Sequence, residues 1–144
     1  MNNHTSAARS AEQDCADVVL AFFRALDQRE HASVAALLSP SGTWHRQGAV
    51  LNGPQAVLDA LSKRDPNRHT AHVITNVQIT MQSRDRATAR FYLVAYESQG
   101  DPASDLSDAP RLVAIRDCVD ELVQISGQWQ IQQKTSRRQL PPER

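Results

Sequence analysis

Residues 14–27, DCADVVLAFFRALD, place apolar side chains at Cys15, Val18, Val19, Phe22, Phe23 and Leu26. That is the i, i+3, i+4, i+7, i+8, i+11 spacing of one buried stripe on an α-helix. Ser10 followed by Gln13 has the form of a capping box, so the helix is expected from about residue 11 to about Arg29. Asp27 continues the row Val19, Phe23, Asp27 in steps of four and ends the apolar stripe on a carboxylate. Two readings of it stand side by side. Pointed into a cavity, it would have its pKa raised by desolvation and would serve as a general base. At a fraying helix end, it would cap the turn DQREH or accept amides of the next helix.

Outward from this helix, a second is expected over about Ala32–Leu38, stopping before Ser39 and Pro40 because the residue preceding proline is pushed out of helical geometry. GTWHRQGAVLNG (42–53) reads as a short strand or hairpin. Gly53 and Pro54 open a third helix that turns Val57, Leu58 and Leu61 inward. From His69 onward the pattern becomes strand-like: residues 71–82, 86–98, 111–125 and 128–137 are rich in Val, Ile, Thr and Tyr, with short turns at 83–85 and 126–128. The connection SQGDPASDLSDAP (98–110) is polar and is expected to be mobile. Three helices followed by four long strands predict an α+β domain in which a curved antiparallel sheet wraps around the N-terminal helices and its mouth forms a pocket. Residues 1–10 are expected to be disordered, 11–138 to form one domain, and 139–144 to be a flexible tail.

The length of 144 residues suits a single core. Lysine and arginine together number 16, as do aspartate and glutamate, so no global field draws the chain to nucleic acid or to an anionic membrane. Met1–Asp14 lacks the apolar stretch of a signal peptide, and VVLAFF is far short of the ~18 residues of a membrane span. A cytoplasmic protein is expected. Cys15 and Cys118 are read as reduced packing thiols, and no motif of a zinc site, a GxSxG hydrolase, a dinucleotide fold or a phosphate loop is found. Neither a metal nor a cofactor is expected.

RHTAHVITNVQI (68–79) sets histidines and an asparagine in a strand. Plain alternation sends His72, Ile74, Asn76 and Gln78 to one face and the more apolar Val73, Thr75, Val77, Ile79 and Met81 to the other, so His72 and Asn76 are expected to look away from the core. His69 and His72 then face opposite ways, which disfavours a metal pair. Trp44 and Trp129 read as packing or edge residues, Trp44 also as a ligand platform. Tyr92 can present a hydroxyl to a pocket or a rim. Arg137 can supply a cation to an anionic ligand or remain in solvent. Arg116, Asp117 and Asp120 mark a strand that is half exposed or internally paired, with no chemistry assigned.

The order of elements, with FRALDQREHASVAALLSPSGTW, LNGPQAVLDAL, RHTAHVITNVQI and SGQWQI at their places, resembles the SnoaL-like group of the nuclear transport factor two superfamily over about residues 10–138. That resemblance implies a cone-shaped fold whose pocket receives the strand face bearing His72. In the lyase branch, typified by scytalone dehydratase and hexachlorocyclohexane dehydrochlorinase, an aspartate ending the first helix pairs with a strand histidine. Asp27 matches the aspartate, Trp44 a pocket tryptophan, and Arg137 lies near a pocket arginine. The dyad histidine aligns with Asn76, while His72 lies four residues earlier, ~13 Å along an ideal strand. The resemblance therefore implies a cofactor-independent lyase, isomerase or cyclase in which Asp27 acts alone as base on a hydrophobic substrate, with His72, Asn76 or Trp44 polarising an oxygen and Tyr92 and Arg137 binding. The alternative is a non-catalytic binding protein or an accessory subunit of an aromatic-ring oxygenase. The exposed sheet face implies a homodimer.

Overall fold

The computed structural model describes residues 9–101, 103 and 108–143. Residues 1–8 of the expected disordered terminus, positions 102 and 104–107 of the expected mobile loop, and Arg144 lie outside the described residues. Helix α1 (Ala11–Asp27) opens on a complete capping box: Gln13 N donates to the Ser10 hydroxyl at 3.1 Å and Ser10 N to the Gln13 side chain at 3.0 Å. Arg29, at φ 59, turns the chain into α2 (His31–Ala36). This helix stops short of the expected Leu38. Leu38 instead begins β1 (Leu38–Arg46), where pairing opposite Ile131 overrides local helical preference.

A tight turn joins β1 to β2 (Ala49–Asn52), and α3 (Gly53–Leu61) follows with proline in its first turn. Then come β3 (Arg68–Met81), β4 (Arg86–Gln99), β5 (Arg111–Ile125) and β6 (Gln128–Leu140), the last running past the expected boundary at residue 138. These four pair antiparallel as neighbours. The antiparallel meander expected of these four strands is what the structure has, and the sheet as a whole is mixed because β1 lies parallel to β6 at one seam. Hairpins force antiparallel pairing, and no hairpin links these two strands. The result is an open, curved six-stranded mixed sheet in the order β2-β1-β6-β5-β4-β3. At the parallel seam Gly42 is obligatory, since a Cβ there would lie 2.5 Å from the Ile131 carbonyl oxygen.

The stripe read from residues 14–27 packs into the sheet's inner face. Cys15, Val19, Phe22 and Phe23 join Leu38, Trp44, Phe91, Leu122 and Ile131 in one buried cluster. Phe22 meets Trp44 edge-on at 5.0 Å and Phe23 meets Phe91 at 6.0 Å, the geometry aromatic quadrupoles favour. Both cysteines are free and buried, and burial pushes the Cys118 thiol up to about 12. Among the described residues no helix is long and apolar enough to cross a membrane.

Candidate functional site

Strand β3 reaches the core by changing face midway. Thr75 pairs with Tyr92 and Gln78 with Arg90, so Asn76 and Val77 together stand opposite Phe91 alone. This is a β-bulge, with Asn76 at φ 56, a conformation asparagine tolerates better than most residues. Before it, Arg68, Thr70, His72 and Ile74 are the less exposed residues; after it, Ile79 and Met81 are. The single alternation expected over 68–79 is therefore corrected: His72 turns inward, and the apolar Ile79 and Met81 share its side of the sheet because the bulge inverts the phase.

The last turn of α1 brings Asp27 to this strand. Asp27 Oδ2 accepts from His72 N at 2.9 Å, and Oδ1 accepts from the Thr70 hydroxyl at 2.8 Å. His72 Nδ1 lies 2.5 Å from Oδ1. An ionised carboxylate has no proton to offer, so Nδ1 donates, and in the neutral form of the ring Nε2 is the nitrogen that carries the lone pair. The four-residue gap that separated His72 from the expected dyad position closes because the end of α1 packs over the start of β3, and Asn76 is not the residue that meets Asp27. Burial pushes the Asp27 carboxyl up, but the His72 side chain and amide, the imidazole's charge and Thr70 together outweigh it and hold the group below its ordinary 3.8. The raised pKa expected from the apolar row is thus corrected: a carboxylate receiving this many hydrogen bonds is stabilised in its charged form.

His72 also faces a cavity of about 220 Å³ bounded by Phe23, Leu26, Trp44, Leu93 and Cys118. At its base Lys134 Nζ contacts the two Asp120 oxygens at 3.0 and 3.1 Å. The same ammonium lies 4.3 Å from the Phe22 ring centre, 4.4 Å from Phe23 and 5.3 Å from Phe91. Burial pushes the Asp120 carboxyl up against the pull of Lys134. Arg46, Arg64, Arg68 and Arg116 also line it, as do the polar His45, Gln47, Thr135 and Ser136, and among the described residues the lining contains no acidic side chain.

Of the residues singled out from sequence, His72 and Trp44 line this cavity and Asp27 stands directly behind His72. Arg116 and Cys118, assigned no chemical role from sequence, also line the cavity. The remaining candidates are elsewhere. Asn76 is exposed at the bulge. Tyr92 follows the outer phase of β4, alternating with buried Phe91 and Leu93, because one step along a strand reverses the face. Arg137 lies on that outer face beside Asp117, 3.5 Å from its carboxylate, so its expected place in the pocket is corrected to solvent. Trp129 is buried in the core. Lys134 goes unrecognised in the sequence, and Asp120 is legible there only as part of a half-exposed or internally paired strand. Counting from the Ser126–Gly127 turn would pair Asp120 with Gln133; a register shift at Glu121/Leu122 brings in Lys134 instead. Among the described residues no cluster of three His, Cys, Asp or Glu could hold a metal ion.

The profile of the SnoaL-like domain matches residues 7–135. The chain belongs to the SnoaL-like domain family. Solved structures show the same cone. This SnoaL-like domain superposes on ActVI-ORFA from Streptomyces coelicolor with a TM-score of 0.74 at 16% identity, over 89% of this chain and 96% of that one. It superposes on a provisionally assigned scytalone dehydratase from Novosphingobium aromaticivorans with a TM-score of 0.72 at 17% identity, over 88% and 82%. An NTF2-like protein with a cystatin-like fold from the same species gives 0.72 at 13% identity, over 88% and 80%. At such identities the likeness is one of fold. No curated protein matches the chain by sequence.

Proposed function

We propose that this SnoaL-like domain is a small enzyme that removes a proton beside a carbonyl or a leaving group of a hydrophobic substrate, leading to elimination, isomerisation or cyclisation. The observation that carries the reading is the His72 Nδ1–Asp27 Oδ1 contact of 2.5 Å on a ring that also faces the cavity. His72, rather than Asp27 alone, is the base. With Nδ1–H held by the carboxylate, Nε2 is the nitrogen free to accept a proton, and Asp27 stabilises the imidazolium that results. Asp27, already accepting three hydrogen bonds and held low in pKa, is the weaker base of the two. Lys134, fixed by Asp120, supplies positive charge toward an oxygen that gains charge during proton removal.

Solvent-deuterium exchange into a panel of aryl and cyclic ketones, followed by proton NMR, tests this without knowledge of the product. The wild type is expected to speed exchange in at least one ketone. His72→Ala and Asp27→Asn should each reduce it by about 10²- to 10⁴-fold, the usual worth of a positioned base. Exchange in the wild type no faster than in both variants would remove the catalytic reading and leave a binding protein or an accessory subunit of an aromatic-ring oxygenase. We also propose that a second copy packs on the outer sheet face around Val73, Tyr96 and Leu112, which are 50%, 38% and 52% exposed. A monomer in small-angle scattering at micromolar concentration would count against that.

A further inference from the structure

The cavity has an electrical character that general base chemistry on a hydrophobic ketone does not require. The chain as a whole carries no net charge, yet the cavity is lined by Arg46, Arg64, Arg68, Arg116 and Lys134 and, among the described residues, by no acidic one. Some of these charges are answered from behind. Lys134 has Asp120, and Arg68 Nε has Glu97 Oε2 at 2.7 Å. Arg116 donates to the neutral Ser136 hydroxyl, with Glu143 only at 3.9 Å.

Arg46 and Arg64 differ from the rest. Neither makes a salt bridge among the described residues. Arg46 has the face of Trp44 at 5.2 Å. Arg64 donates to the Leu26 carbonyl at 3.0 Å and to Thr70 at 3.2 Å, both neutral, while its Nε is buried without a partner. Burial and the neighbouring Arg29, Arg68 and Arg46 push the Arg64 guanidinium down to about 10. Part-buried, mutually repelling cations that face one shared cavity are destabilising unless an anion joins them. Part of the wall is apolar and aromatic, formed by Phe23, Leu26, Trp44, Leu93, Ala95 and Val113, and an inorganic ion would leave that part unfilled.

We propose that the cavity takes a small organic anion, a carboxylate carried on a one- or two-ring apolar body, with the carboxylate held by Arg46 and Arg64 and the ring against Phe23 and Trp44. Planar guanidinium groups receive a carboxylate through paired N–H donors, and a low-dielectric surround strengthens that bond. Arg64 donates to Thr70, which donates to Asp27, so the anion lies next to the His72–Asp27 pair and orients the ligand's reactive carbon relative to it. This substrate class rests on the proposed function, since it assigns the ligand of the same cavity.

Calorimetric titration with benzoate, 2-naphthoate and their uncharged amides tests it on wild type, Arg46→Gln and Arg64→Gln, with Arg46→Lys keeping the charge. At least one acid should bind about tenfold or more tighter than its amide, the gain expected of a charge-assisted pair. That preference should fall in Arg46→Gln, persist in part in Arg46→Lys, and weaken with added salt. Equal binding of acid and amide, a preference unchanged in Arg46→Gln, or no binding of any probe at millimolar concentration would overturn the proposal. Arg64→Gln is a second reading of the same effect, because Arg64 also holds the end of α1 and its loss could unfold the chain. Anion preference surviving in His72→Ala, alongside a wild type inert in deuterium exchange, would mean that the anion site stands and the catalytic reading falls. Ketone exchange without anion preference would mean the reverse.

Discussion

Asp117 and Asp120 stand three residues apart on β5, and their surroundings could hardly differ more. Asp117 lies on the outer face, covered by Arg90 at 2.8 Å and Arg137 at 3.5 Å, whose side chains are 58% and 66% exposed. Arg90 foremost holds the Asp117 carboxyl below its ordinary range. Asp120 faces inward with no exposed surface, has Lys134 as its one ionic partner among the described residues, and is pushed up by burial. On the outer face, water screens the ions and substitutes for a lost partner. On the inner face nothing can substitute, so the charge is fixed in place beside the cavity. Electrostatics on the outer face covers the sheet; on the inner face it presents a cation to whatever enters.

The largest expected effect breaks the inner pair. Lys134→Met, which leaves Asp120 buried and unpartnered, should lower stability by about 3–5 kcal/mol in urea denaturation, and adding Asp120→Leu should restore much of it. A loss under about 1 kcal/mol would mean that water reaches Asp120 and the two faces are alike.

Asp27→Asn should have an intermediate effect, about 1–3 kcal/mol at neutral pH, because charge-assisted hydrogen bonds from His72 and Thr70 weaken. The pH dependence has a definite sign. The folded pKa lies below the ordinary 3.8, so the stabilisation is fully present above that value and is lost as pH falls through the lower folded one. Denaturation curves of wild type and Asp27→Asn should therefore converge only in strong acid; a gap that opened as pH fell would reverse the assignment. On the outer face, Arg137→Gln should cost less than about 1 kcal/mol and depend on salt, because Arg90 still covers Asp117. A larger, salt-independent loss would place Asp117 among the inner-face charges.

Periodicity made the helical half legible. The stripe from Cys15 to Leu26, the Ser10–Gln13 box and the Gly53–Pro54 start each depend on neighbours within a few residues, and each was found where local rules put it. The resemblance built on that order named the family, and Asp27 and Trp44 were legible as residues near a pocket. The strands were harder to read, because a strand's meaning changes sign with every bulge. Asn76 inverts β3, so a reading that carried alternation through it assigned His72 to the wrong side, whereas the family resemblance had it facing the pocket. The shift at Glu121/Leu122 hid the Asp120–Lys134 pairing in the same way. A polar residue with a taste for positive φ inside an apolar strand was the available signal at Asn76. For Lys134 no local signal existed, since a lysine in QIQQKTSRRQ looks like any solvated strand residue until its partner strand is in register.

The His72 tautomer, read by long-range nitrogen–proton NMR in the free protein with His72→Ala to assign the signals, tests the central claim most directly. The Asp27 contact predicts a protonated Nδ1 and a bare Nε2 at a pH where the imidazole is neutral, with the pattern averaged or reversed in Asp27→Asn. A proton on Nε2 in the wild type, or a ring indifferent to Asp27→Asn, would mean that the carboxylate does not hold the imidazole and that His72 is not a base prepared for the cavity.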